Sequence, residues 1–164
     1  MATINVNSVT AINFVKSGVT TALDKLIFNG TTVWENWLLK TGTLSTTTLS
    51  GGTWSSGTKT ATTNFGKTVK INKIYLDVYY ENGGAAVADN GKLTVYGYNG
   101  STSTWVTLFT KSLTRPSYGK VDVNEYQTLN SEVEITQIKF SVYVSDNEMS
   151  ASASMKVTEW YEKG

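Results

Sequence analysis

Residues 74–80 read Ile-Tyr-Leu-Asp-Val-Tyr-Tyr, which sets Ile74, Leu76, Val78 and Tyr80 on one side of an extended chain and Tyr75, Asp77 and Tyr79 on the other. A period of two is the mark of a strand with one buried face, and a helical stripe does not produce it. Val69 and Ile71 belong to the opposite phase, which predicts a bulge or bend near Asn72-Lys73. The alternation returns in Ile138, Phe140, Val142 and Val144, and again in Ala151, Ala153, Met155 and Val157. Leu93 to Tyr98 and Trp105 to Phe109 flank the polar run Asn99 to Thr104, so they read as an antiparallel pair with a polar tip. Val121 and Val123 begin a shorter strand after the loop signal Arg115-Pro116-Ser117-Tyr118-Gly119. Strands separated by turn residues, with no long helical pattern between them, predict an all-β sandwich or barrel.

The first forty residues differ in character. Ile4, Val6 and Val9 alternate with polar neighbours, and a second short run covers Ile12 to Val15. Asn29-Gly30 between Lys25-Leu26-Ile27-Phe28 and Thr31-Thr32-Val33-Trp34 is a two-residue hairpin signal, because both turn positions need positive φ. Thr20 to Leu26 allows one helical turn as an alternative, with Thr21 as cap and Leu23 and Leu26 on one face. Lys40 to Lys67 is rich in Thr, Ser and Gly; it reads either as a linker or, given Leu44, Leu49, Trp54 and Phe65, as short strands entering the sandwich. The expected organisation is a β-rich arm over residues 1–40 and a sandwich over residues 41–164.

Composition narrows the chemistry. The chain of 164 residues has no Cys and no His, which removes thiolate nucleophiles, disulfides, thiolate metal sites and the commonest general base. A non-enzymatic role is expected. A net charge of +1 with no Lys/Arg cluster argues against a nucleic-acid partner. No basic stretch followed by an apolar run opens the sequence, and nowhere do about 18 apolar residues follow one another, so a soluble protein without membrane insertion or an obvious export signal is expected.

From Lys70 to Tyr161 the order of segments resembles a galactose-binding-like jelly roll of the discoidin or coagulation-factor C-domain type. The matching pieces are Lys73-Ile74-Tyr75-Leu76-Asp77-Val78; Leu93 to Gly100 running into Thr104-Trp105-Val106-Thr107-Leu108; Gln137-Ile138-Lys139-Phe140-Ser141-Val142; and Lys156-Val157-Thr158-Glu159-Trp160-Tyr161. The cysteines that tie the ends of many such sandwiches are missing, so neither that disulfide nor a particular ligand carries over. Phe28-Asn29-Gly30-Thr31-Thr32-Val33-Trp34-Glu35 is similar to hairpins near the start of small structural proteins of tailed bacteriophages. What that resemblance implies is a virion structural protein, a capsid decoration or tail-associated component folded in the host cytoplasm. It would form a homo-oligomer on the particle beside other capsid or tail proteins, with the sandwich facing outward.

The alternative expectation is a carbohydrate-binding module for host or mucosal glycans; an accessory domain of a glycosidase or lyase is a third. Exposed rings pack on the apolar face of a pyranose while polar neighbours bind its hydroxyls. The candidates are Trp54, Tyr98 with Asn99, and Arg115 with Tyr118, set against the plainer expectation that Trp54 plugs the core. Asp77, Asp89, Asp122, Asp146 and Glu148 read as solvated turn carboxylates and not as a calcium site, since no dense Asp-x-Asp-x-Asp-Gly loop occurs; no cofactor is expected. Phe28, Val33, Trp34, Trp37 and Leu38 are the candidate assembly residues, because a short arm cannot bury two Trp and the following Leu side chains by itself.

Overall fold

The computed structural model describes residues 13–16, 19–22, 25–28, 31–81, 89–115, 119–129 and 133–164, with side chains from Glu35 onward, Asp89 apart. Two small hairpins come first: β1 (Asn13–Lys16) with β2 (Val19–Ala22), and β3 (Lys25–Phe28) with β4 (Thr31–Glu35). In the second, Phe28 pairs with Thr31, as a two-residue connection at Asn29-Gly30 requires. The segment for which a helical turn was an alternative is extended on both sides of Leu23-Asp24, and the run from Ala2 to Val9 lies outside the described residues.

The remaining strands are β5 (Trp37–Trp54), β6 (Gly57–Glu81), β7 (Asp89–Asn99), β8 (Thr104–Arg115), β9 (Lys120–Thr128), β10 (Ile135–Val144) and β11 (Glu148–Lys163). All their pairings are antiparallel, in the order β5-β11-β6-β10-β7-β8, with β9 also on β6. Late strands inserted between early ones give the crossed order of a jelly roll. The Thr/Ser-rich stretch from Lys40 to Lys67 is therefore not a linker, since only Ser55 and Ser56 separate β5 from β6. Trp37 to Lys40 already pair with β11, opposite Lys163 to Trp160.

The 25-residue β6 serves two layers. Residues from Gly57 to Asn64 pair with β10, while residues from Val69 to Glu81 pair with β11, and from Lys73 onward also with β9. Within the part paired with β11, Glu159 lies opposite Lys73 and the next β11 residue, Trp160, opposite Ile71, so Asn72 is the extra residue of the expected bulge. The bulge keeps Val69 and Ile71 on the same side as Ile74, Leu76, Val78 and Tyr80 although their sequence phase differs. All six are buried in one core with Leu93, Val95, Ile138, Phe140, Val142, Met155 and Val157. Two layers thus face each other across a continuous apolar interior, which makes the fold an antiparallel β-sandwich.

Two close approaches close one end of it. A Cβ on Gly91 would sit 2.1 Å from the Tyr80 hydroxyl and 2.7 Å from the Leu113 carbonyl oxygen, and that hydroxyl donates to the same carbonyl at 3.2 Å. Nearby in sequence, Arg115 ends β8 and Glu148 opens β11; Nη2 and Oε1 lie 3.3 Å apart and both side chains are fully buried. Buried charges persist only when paired, so this ion pair ties the ends of two strands that are not neighbours in the sheet order. Arg115→Met alone should cost about 3–5 kcal/mol by stranding the Glu148 carboxylate, and Arg115→Met with Glu148→Leu should recover most of it. Gly91→Ala should cost about 1–3 kcal/mol by overpacking. Urea denaturation midpoints of the four proteins, wild type included, check all three expectations.

Candidate functional site

On the outward face of the layer formed by β5, β11, β6 and β9, the register sets Thr46, Lys156, Tyr75 and Tyr126 in one row across four strands. Tyr75 points outward because its neighbours Ile74 and Leu76 point in, and Tyr126 does so because Val121 and Val123 set the opposite phase of β9. Directly opposed rings meet: their centroids lie 4.9 Å apart with planes tilted by 57°. Tyr126 is 63% exposed, so one ring is offered to solvent while the other steadies it. The Tyr75 hydroxyl donates to the Asn124 side-chain carbonyl, which fixes the inner ring further.

Beside the rings the chain is polar. Lys73 Nζ lies 5.5 Å from the Tyr126 ring centre and Lys156 Nζ lies 5.9 Å from that of Tyr75. Lys73 also donates to Glu159 Oε1 at 3.0 Å, and Asn72 Nδ2 donates to Oε2 at 3.0 Å, so both carboxylate oxygens are engaged. The hydrogen bond from Lys73, then that from Asn72, holds the Glu159 carboxyl below the usual carboxylate range. The far wall comes from an irregularity in β5: four residue steps from Thr41 to Ser45 face two from Glu159 to Val157, and Gly42 takes φ of 135° there. Thr41, Gly42, Thr43, Thr158, Lys73, Lys156, Glu159 and the two tyrosines line an open groove of about 820 Å³.

The residues singled out from sequence lie elsewhere. Trp54 is 1% exposed, with Nε1 donating to the Ser50 carbonyl at 2.8 Å, so its ring offers no face to a ligand. Arg115 is not on an exposed loop but buried against Glu148, and Glu148 is correspondingly not a solvated turn carboxylate. Tyr118 lies outside the described residues, as do the side chains of Phe28, Val33 and Trp34. Tyr98 is half-buried on the outward face of the other layer, its ring 5.2 Å from that of Trp105. Asn99 is occupied in its own turn, where Oδ1 accepts from the backbone of Ser101 and Thr102. Lys139 Nζ lies 4.4 Å from the Trp105 ring and 4.6 Å from that of Tyr96, so the chain's own cation already occupies that aromatic patch. Trp37 is half-buried between Lys70 and Lys163, at 4.5 and 5.3 Å from its ring centre, and Leu38 is 41% exposed. Among the described residues, no three His, Cys, Asp or Glu side chains converge as metal ligands would.

Of the groove, the sequence displayed only that Tyr75 opposes its buried neighbours. Tyr126, Lys73, Lys156 and Glu159 join it through a register spanning more than eighty residues of chain, for which no local signal exists. Glu159 supplies a direct check on the geometry. Because its carboxyl is held low when folded, its contact with Lys73 is complete above the ordinary carboxylate range and is lost as pH falls through the folded midpoint. A carboxyl-resolved NMR titration should place the Glu159 midpoint below that of an ordinary glutamate, and Lys73→Met should raise it.

No protein-family model matches the chain, and no curated protein matches it. Among solved structures it is similar to a protein described as CBM32 of AlyQ in complex with 4,5-unsaturated mannuronic acid, at 9% identity and a TM-score of 0.40, covering 76% of this chain and 98% of that one. It is also similar to the VP2 subviral particle protein of infectious bursal disease virus, at 13% identity and a TM-score of 0.40, covering 93% of this chain and 42% of that one. Particles derived from the same virus, of T=1 type, give 14% identity and a TM-score of 0.35 over 99% of this chain and 40% of that one.

Proposed function

We propose that this chain is a non-enzymatic binding module that takes a saccharide in the groove of Tyr75 and Tyr126. The observation that carries this reading is the ring pair itself: an exposed tyrosine, steadied by a second, in a groove otherwise lined by hydroxyls, amines and one carboxylate. A pyranose has one apolar face for a ring and a rim of hydroxyls for such groups. The rings sit on paired strands of a sandwich, so little ordering entropy is spent on binding. The absence of His and Cys, together with a single groove carboxylate already engaged by Lys73 and Asn72, supports binding without catalysis.

Tyr126→Ala should weaken binding to a panel of immobilised glycans by about tenfold or more, the value of one well-placed ring, while the melting temperature falls by about 4 °C at most, because the mostly exposed side chain gives up little beyond its contact with Tyr75. Trp54→Ala should instead cost about 3–5 kcal/mol of stability. Binding that survives Tyr126→Ala, or no binding to any glycan, defeats the proposal.

A second reading is favoured by a different feature. Leu38 and Leu39 are 41% and 51% exposed next to Trp37 at the start of β5, the end strand of the sheet path and the strand that follows the N-terminal hairpins. Consecutive exposed leucines at a sheet edge suit assembly, so the virion role implied by residues 28–35 is retained as a structural component, in which residues 1–40 attach to the particle and the sandwich faces outward. Sedimentation velocity tests it: wild type should self-associate, and Leu38→Ser with Leu39→Ser should shift the distribution towards monomer. A wild type that is a strict monomer at high concentration counts against the reading.

A further inference from the structure

We infer, resting on the saccharide reading of the groove, that its ligand is anionic: a sugar carrying a carboxylate or sulfate, with the charge held by Lys156 while a tyrosine ring takes the pyranose face. Three residues with formal charge line the groove, and they are not equivalent. Lys73 is neutralised by Glu159 at 3.0 Å. Glu159 is committed, since its second oxygen accepts from Asn72 and its depressed carboxyl remains ionised through the neutral range. Lys156 is different. It is exposed, it lies in the same row as both tyrosines, and among the described residues it makes no ion pair. Asp77 stands in the next row of the same face, opposite Ser154 and Asn124, and is outside the groove lining.

The position of Lys156 suits an anionic substituent better than a ring hydroxyl. Its ammonium lies over the inner ring, 5.9 Å from the Tyr75 centre, and not over the exposed Tyr126. A sugar resting on Tyr126 would therefore present its substituents, and not its ring face, towards Lys156. An ammonium is a compact point charge without the planar fork that selects one oxyanion geometry, so carboxylate and sulfate are both accepted. Hydroxyl ligands for the rest of the sugar are at hand in Thr41, Thr43 and Thr158.

The experiment uses the full chain and three oligosaccharides of equal length: oligogalacturonate, a sulfated galactan and a neutral galactan, titrated calorimetrically. The expected result is that at least one anionic oligomer binds about tenfold tighter than the neutral one at low salt, the worth of one charge-assisted contact. That advantage should shrink at about 1 M salt, where charges are screened within about 3 Å. Lys156→Gln should abolish the preference by weakening the anionic oligomers most, whereas Tyr126→Ala should weaken every oligomer. A preference for one anion over the other identifies the source of the charge. Equal affinities for charged and neutral oligomers, or a preference that survives Lys156→Gln, overturns the inference while Tyr126-dependent binding leaves the saccharide reading standing. Absence of binding by all three overturns both.

Discussion

The structure depends on one long strand keeping the same face inward through a change in its phase. β6 buries Val69 and Ile71, and then Ile74, Leu76, Val78 and Tyr80, in one core along its pairing with β11. Without an additional residue, the change from odd to even positions would turn one of these sets out to water, since a one-residue slip reverses every side chain of a strand. Asn72 is that residue. Its side chain does not go to waste, because it donates to Glu159 and so helps hold the carboxylate that neutralises Lys73 in the groove. The residue that keeps both sets inward therefore also shapes the surface outside the sandwich.

A similar economy appears at the end of the sandwich where Arg115 meets Glu148. Two fully buried charged side chains are costly in an apolar interior, and their mutual contact offsets that cost. The pair also demands that β8 and β11 end and begin at fixed places, which apolar contacts alone specify less sharply. Gly91 serves the same region by omission: only a residue without Cβ lets the Tyr80 hydroxyl reach the Leu113 carbonyl. In a chain without disulfides, such polar contacts take over part of the task of holding the ends together.

The groove shows how a face that is not needed for the core becomes available for recognition. Once alternate residues of β6, β9 and β11 are committed inward, the remaining positions are free to carry Tyr75, Tyr126, Lys73 and Lys156. Antiparallel pairing brings the two rings to 4.9 Å, and the irregularity at Gly42 raises β5 as a wall beside them. A site on paired strands is held by the backbone ladder, so its geometry is preformed. The opposite layer has rings as well, and there Lys139 packs closely on Tyr96 and Trp105.

Much of the fold was legible along the chain. The alternation of residues 74–80, 138–144 and 151–157, the Asn29-Gly30 hairpin, the polar tip at Asn99 to Thr104 and the bulge near Asn72 are all local patterns, because strand periodicity and turn chemistry act over a few residues. Local patterns also misled. Gly and Thr around residues 40–67 suggested a linker or short strands where two long strands run, and Pro116 with Gly119 suggested that Arg115 was exposed when its partner Glu148 lay thirty-three positions away. The sequence by itself determined which faces of the strands turn inward, since hydrophobic burial requires only the alternation. Which outward residues stand side by side was decided by tertiary structure alone, because pairing Tyr75 with Tyr126 and Lys156 depends on a strand order that no local interaction encodes.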